Sequence, residues 1–242
     1  GSRVKILCMV KANGYGHGAA EISQTLVGAG ADAFGVATLE EAVQLRQAGI
    51  QALLLVLAGV FPDQLDTFVQ HKLTPVVHDS LSLQALDGES SRRHVQLGVH
   101  LKIDTGMGRL GFLAAEADQW IVSIKQTKSL RIEGLFSHFS HAESVHGDYT
   151  QKQLEIFKHV LGQLRSASVI PDLVHLANSA ATITLPAAYF EMVRPGLILY
   201  GVYPSSNMKE QMHLQPVLSW KTKILQLKNV PSGTSVSYGQ TF

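Results

Sequence analysis

The stretch KILCMVKANGYGHG, residues 5–18, decides how the rest of the chain is read. An apolar run, 6–10, ends on Lys11, and a turn carrying Gly14, Gly16 and Gly18 follows before a helical pattern begins. A short apolar run bounded by Gly and Asn predicts a buried strand of a parallel sheet. A lysine at the end of such a strand is costly to bury unless it is paired or deprotonated. Schiff-base chemistry is a usual reason for tolerating that cost. A surface lysine at a strand end is the competing reading. The glycine-laced turn, with Tyr15 and His17 inside it, favours a site.

From this stretch, strand–helix alternation continues to about residue 201. Strands are predicted over 6–10, 33–37, 52–58, 73–77, 95–103, 132–138, 173–177 and 192–200. Helices are predicted over 18–28, 38–48, 62–71, 80–86, 114–127, 149–166 and 179–185, with 87–93 a polar run that ends the fourth. Thr38, followed by Glu40 and Glu41, is a good helix start, and Gly49 a good stop. Eight such units make an α/β chain of the (β/α)8 TIM-barrel type rather than an open doubly wound sheet. No Gly-x-Gly-x-x-Gly fingerprint occurs, so a dinucleotide site is a weak reading. After the eighth strand no helix is legible. Strands are expected instead over 217–227 and 234–238, around Pro231-Ser232-Gly233. The expectation is a cofactor-binding barrel over 1–203 that lacks a closing helix, then a linker and the first strands of an incomplete β-rich domain over 204–242.

Composition excludes some functions. The 242 residues carry 20 Lys+Arg against 19 Asp+Glu, net +1, so no basic field attracts nucleic acid or a membrane surface. No apolar run reaches membrane-spanning length. Cys8 is the single cysteine; it has no internal disulfide partner, which fits a reducing, cytoplasmic setting.

Active sites of such barrels lie where strands end and the loops to the helices begin. Those ends carry Lys11 and Tyr15, then Lys102 and Arg109 within LKIDTGMGR, then Ser137-His138-Phe139, then His175 and Ser179 within HLANS, then Arg194, Gly196 and Leu197. Lys11, Lys102, Arg109 and Arg194 converging on one cleft require an anion. A phosphate fits: Ser179 opens a helix, and Gly196 lets backbone N–H groups come close. A lysine beside a phosphate cradle matches pyridoxal phosphate. Each residue also has a plainer role. Lys102 could belong to an ion pair, Arg109 could cap a helix, and His138 and His175 could be satisfied core histidines. The polar loop His141, Glu143, His146, Asp148 has loose metal-ligand spacing, and no metal is expected.

Taken together, VKANGYGHG, LKIDTGMGRLGF, Ser137-His138-Phe139, HLANSAA, MVRPGLILYG and VSYGQTF, in that order, resemble alanine racemase, a fold III pyridoxal phosphate family. The resemblance implies two-base interconversion of L- and D-alanine, supplying D-alanine for cell-wall peptidoglycan. Lys11 would hold the cofactor and act as base on the D face. Tyr238 would be the base on the L face, serving the site of a second copy in a homodimer. Arg194 would contact the pyridine nitrogen, and Arg109 the cofactor's phenolic oxygen and the substrate carboxylate. Tyr15, Ser179, Gly196 and Leu197 would hold the phosphate. His138 would support Tyr238 or Arg194, and Lys102 resembles a lysine that is often carbamylated. The family takes further site residues from parts not present here, so these 242 residues alone are expected to be weak or inactive. The alternatives are a non-catalytic pyridoxal phosphate carrier and a broader, serine-accepting racemase. A decarboxylase of basic amino acids would place an acid, not Arg194, on the pyridine nitrogen.

Overall fold

The computed structural model describes residues 4–143 and 148–240. His146 of the polar loop lies outside the described residues, as do Thr241 and Phe242 of the last motif. The barrel strands are β1 (Lys5–Met9), β2 (Ala33–Val36), β3 (Leu53–Val56), β4 (Thr74–Val77), β5 (Leu97–Asp104), β6 (Leu130–Phe136), β7 (Leu173–His175) and β8 (Met192–Val193), and a two-residue strand, Phe112–Leu113, pairs off the ring with the end of β5. They pair in parallel in the order β7-β6-β5-β4-β3-β2-β1-β8. No ladder joins β7 to β8. Single bonds close that seam: Glu191 N–H donates to Val174 C=O at 3.1 Å, and Arg194 N–H to Ala177 C=O at 2.9 Å. The helices α1 (Ala19–Gly28), α2 (Leu39–Gln47), α3 (Leu65–Gln70), α4 (Ser80–Arg92), α5 (Ala117–Gln126), α6 (Asp148–Ser166) and α7 (Ser179–Thr184) fall between successive strands. The expected (β/α)8 barrel is therefore present, nearly closed.

Alternation along β1 shows why this sequence makes a barrel. Leu7 and Met9 pack with Ala33, Leu55, Val76, Phe136 and Met192, residues of strands all round the ring that can meet only inside it. Cys8 and Val10 point the other way, into a layer with Phe34, Val36, Leu54 and Val56 beneath Ala42, Leu45 and Phe68. Both faces are buried, so the strands read as continuous apolar runs. Each fully buried side chain contributes about 1.5–3 kcal/mol. Burial also raises the Cys8 thiol to about 12, leaving it inert.

Three expectations are corrected. The polar run 87–93 does not end α4, which continues to Arg92. Its polar groups have partners that suit a helix: Asp87 accepts from Lys128 N–H and Ser129 N–H, and Ser91 Oγ meets Ser129 Oγ at 2.8 Å. The strand expected over 192–200 is only Met192–Val193, with a 3₁₀ turn over Leu197–Tyr200. Pro195 has no N–H to extend a ladder, and Gly196 (φ −130°, ψ −87°) turns the chain away. The strands expected over 217–227 and 234–238 do not form. A strand exists only through pairing, and here no neighbour pairs with the segment, so Trp220, Leu225 and Leu227 are exposed.

Gly134 on β6 is set by close approach rather than by backbone conformation. A Cβ there would lie 2.3–2.5 Å from ring atoms of His100, which is fully buried against it. Gly134→Ala should lower stability by about 1–3 kcal/mol, the usual result of overpacking, read as a drop in the urea midpoint. An unchanged midpoint would contradict this packing.

Candidate active site

Immediately after β1 the chain makes a left-handed turn. Ala12, Asn13, Gly14 and Tyr15 have φ of 52°, 53°, 61° and 52°. The left-handed region costs an L-residue about 1–2 kcal/mol, so the three non-glycine positions are strained. Gly14 N–H to Val10 C=O (2.8 Å) and Gly18 N–H to Asn13 C=O (3.0 Å) hold the coil, and the Asn13 side chain accepts from Ala19 N–H at 2.9 Å. The turn throws Tyr15 back over the strand ends. Its ring packs on Tyr200, centroids 5.1 Å apart, and Tyr200 donates its hydroxyl to Met9 C=O at 3.0 Å. Burial raises the Tyr15 phenol above its ordinary value, so it stays protonated and able to donate.

The strand ends enclose a cavity of about 390 Å³. Lys11, Tyr15, Lys102, Arg109, His138, Ser179, Arg194, Gly196 and Leu197, which the sequence proposes from five separate stretches, all line it. Tyr238 does not: it lies in the turn Tyr238–Gln240 and is 99% exposed. Among the described residues, none of the four cations of the cavity forms a salt bridge, and Glu143 is the one acid in its lining.

Arg194 is 4% exposed and wholly engaged through its terminal nitrogens. Nη1 donates to His175 C=O (2.8 Å) and to His175 Nδ1 (3.1 Å). Nη2 donates to Ser137 C=O (2.6 Å) and Leu176 C=O (3.3 Å), and lies 3.4 Å from His138 Nδ1. A guanidinium can only donate, so both histidines must turn a bare Nδ1 toward it and carry their proton on Nε2. His175 Nε2 then donates to His100 Nδ1 at 3.0 Å, and His100 Nε2 has no partner among the described residues. Phe136 lies underneath, stacked on His175 at 4.8 Å, with the Arg194 guanidinium 5.1 Å and Lys102 Nζ 6.0 Å from its ring centre. Burial lowers Arg194 to about 9. Burial and then the charges of Arg109 and Arg194 lower Lys102 to about 8.

Neighbouring groups brace these ends. Asp104 accepts from Gly106 N–H, Met107 N–H and Gly108 N–H at 2.8, 2.8 and 3.1 Å, coiling the loop that carries Arg109. Buried Gln153 on α6 donates to His138 C=O at 3.1 Å and accepts from Ser140 N–H at 3.0 Å. Gly196 N–H donates to Ser179 Oγ at 2.8 Å, which leaves the serine proton free to donate. A Cβ on Gly196 would come within 3.0 Å of the Tyr15 hydroxyl. Phe136, His100, Gln153 and Tyr200 escape a reading of sequence, because each sits where strand or helix periodicity predicts ordinary core. Phe136 alone carries a signal, standing directly before Ser137-His138. Among the described residues, no three His, Cys, Asp or Glu side chains are grouped as a metal site, and no helix is long and apolar enough to cross a membrane.

Fold and cavity together define a parallel (β/α)8 barrel with a cationic ligand site at its C-terminal strand ends, a lysine at its mouth. Residues 1–204 match the family model "Alanine racemase, N-terminal domain", and the chain belongs to that family. It is 40% identical over 242 residues to an alanine racemase of Halothermothrix orenii, covering 100% of this chain and 64% of the relative. It is 41% identical over 243 residues to alanine racemase 2 of Caldanaerobacter subterraneus subsp. tengcongensis, covering 100% and 63%. Among solved structures, alanine racemase of Clostridium difficile 630 superposes with a TM-score of 0.89 at 33% identity, covering 100% of this chain and 64% of that one. The Streptomyces lavendulae enzyme gives 0.91 at 31%, covering 99% and 64%. The chain thus spans just under two thirds of the length of these relatives.

The buried histidines fix a pH dependence. His100 and His138 are lowered to about 3 and His175 well below 6.5, in each case by burial first and Arg194 next. Between about pH 3 and 6.5 the unfolded chain takes up protons that the folded chain refuses. Stability from these groups is therefore complete above about 6.5 and falls on acidification, by up to about 1.4 kcal/mol per pH unit for each histidine. Urea midpoints measured from pH 7 to 4.5 should drop steeply; a flat profile would contradict the neutral relay.

Proposed function

We propose that the whole protein is a pyridoxal phosphate-dependent alanine racemase and that this chain supplies its cofactor barrel, with 204–242 leading into a second, β-rich domain. The supporting observation is that Lys11 shares one cavity with three further cations, none of them in a salt bridge among the described residues, beside the Ser179 hydroxyl, the Gly196 amide and the Tyr15 hydroxyl. Those groups suit a phosphate ester on an aromatic ring. Pyridoxal phosphate, when bound, makes the α-proton of an amino acid acidic by delocalising the electron pair left behind.

The chain's own residues then divide the work. Lys11 would hold the cofactor covalently and carry the α-proton on one face. Tyr15, Ser179 and the backbone at Gly196 and Leu197 would fix the phosphate. The Nη atoms of Arg194 are tied to β6 and β7, so Nε–H is the donor left for a ring nitrogen, and arginine does not readily release that proton. His138 would hold Arg194 in orientation from the cavity side. Arg109 would take the substrate carboxylate. Lys102, lowered to about 8, has a larger neutral fraction near neutrality than an ordinary lysine. Carbon dioxide can add to that nitrogen with loss of a proton, converting a cation beside Arg109 into an anion.

Racemisation needs a second base on the opposite face. We assign it to Tyr238, acting in the cavity of a second copy within a homodimer. Its 99% exposure in a single chain fits that assignment. The same observation favours a second reading for an isolated copy: cofactor capture without turnover, as in a carrier. The product, D-alanine, would serve cell-wall synthesis in the cytoplasm. L-Serine is the natural competitor substrate.

Full-length protein with added cofactor should show a visible absorbance band that Lys11→Ala abolishes; no band in the wild type would overturn the cofactor assignment. In a chiral assay with L-alanine and L-serine, Lys11→Ala and Tyr238→Phe should each lower racemisation by about 10²–10⁴-fold, as expected for loss of a general base. Turnover of neither amino acid by full-length protein would leave the carrier reading. Labelled bicarbonate should give a carbamate carbon signal that disappears in Lys102→Arg; a signal persisting there would place the modification elsewhere.

A further inference from the structure

The left-handed turn after Lys11 is held from outside by one carboxylate. Glu41 is the third residue of α2, in the sequence Thr38-Leu39-Glu40-Glu41. In a capping box its side chain would return to the N-cap N–H of Thr38. Half of that arrangement is present: Thr38 Oγ1 accepts from Glu41 N–H at 3.4 Å. The carboxylate goes elsewhere. Oε2 accepts from Ala37 N–H at 2.7 Å, at the exit of β2, and Oε1 accepts from Ala12 N–H at 2.7 Å, at the exit of β1. Two adjacent strand exits are thus bridged by one carboxylate side chain. Ala12 is the first residue with positive φ and is bonded directly to Lys11. Ala37 itself lines the cavity.

The geometry points to Glu41 as the residue that positions Lys11. The turn is unfavourable for Ala12, Asn13 and Tyr15, so a right-handed alternative competes with it; that alternative would redirect Tyr15 and release the peptide unit between Lys11 and Ala12 that Glu41 holds. Charge-assisted bonds to two amides favour the observed conformation. Glu41 touches neither cavity contents nor the lysine amine. It acts through the backbone on either side of the strand end. The assignment rests on Lys11 being the lysine that takes the cofactor.

The test is borohydride trapping of pyridoxal 5'-phosphate on Lys11, followed by peptide mass spectrometry, in wild type, Glu41→Ala and Glu41→Gln. Glutamine keeps the shape and one of the two acceptors, so it guards against a variant that fails to fold. The trapping rate should fall at least tenfold in Glu41→Ala and by less in Glu41→Gln. Proton exchange at the Ala12 amide of the unliganded chain should accelerate in the same order. If Glu41 only caps α2, the melting temperature falls while folded Glu41→Ala traps at the wild-type rate, and the proposal is overturned. If the wild type traps nothing, the cofactor reading fails instead. Glu41 is then judged on exchange alone: acceleration at Ala12 supports it and no change refutes it.

Discussion

The site depends on Arg194. Strands β7 and β8 share no ladder; besides Glu191 N–H on Val174 C=O, the seam is closed by the Arg194 backbone N–H on Ala177 C=O and its guanidinium on the carbonyls of Ser137, His175 and Leu176. One side chain therefore joins β6, β7 and β8 at the end where the cavity opens. Hydrogen bonds from a charged donor contribute about 1.5–3 kcal/mol each, enough in combination to offset burial penalties of several kcal/mol. Among the described residues no carboxylate forms a salt bridge with Arg194, so its charge favours an anion entering the cavity. Burial, and then the same charge, keeps His100, His138 and His175 neutral, and the charge also gives value to an aromatic ring, Phe136, beneath it.

Around that fixed point the other groups arrive by different means. Lys11 comes from a strand end followed by a strained turn, Arg109 from a loop coiled on Asp104, and Ser179 from the first turn of α7. Strand ends, a helix start and a braced loop thus present these side chains to one cavity. Strain at 12–15 also separates Lys11 from an ordinary strand terminus: the turn persists because several bonds over-determine it, and it carries Tyr15 to the same cavity.

Much of this was legible in the sequence because barrel sites collect at strand ends. Lys11, Lys102, Arg109, His138, Ser179 and Arg194 break apolar runs, and a polar residue at the end of a buried strand has few reasons to be there. What was not legible shares one cause. Phe136, His100 and Gln153 obey the periodicity of their elements, and only the structure shows that Phe136 lines the cavity while His100 and Gln153 bond to His175 and His138 behind it. Leu197, Ile198 and Leu199 are as apolar as a strand, so the pattern runs past Val193, although Pro195 and Gly196 end the pairing there. The polar residues of 87–93 read as a break because their partners, Lys128 and Ser129, lie about forty positions away. Alternating apolar residues over 217–227 signal a strand, but pattern alone cannot supply the neighbour that a strand needs.

A cavity that holds a phosphate dianion by the Tyr15 and Ser179 hydroxyls and the backbone at Gly196 and Leu197 must bind a ligand lacking that phosphate more weakly. The most direct measurement is calorimetric titration of the protein with pyridoxal 5'-phosphate and, separately, with pyridoxal, which has the same ring and aldehyde but no phosphate. Two or more charge-assisted bonds predict a Kd at least a hundredfold lower for the phosphate ester, with most of that difference lost in Ser179→Ala combined with Tyr15→Phe. Equal affinity for the two compounds would contradict the account.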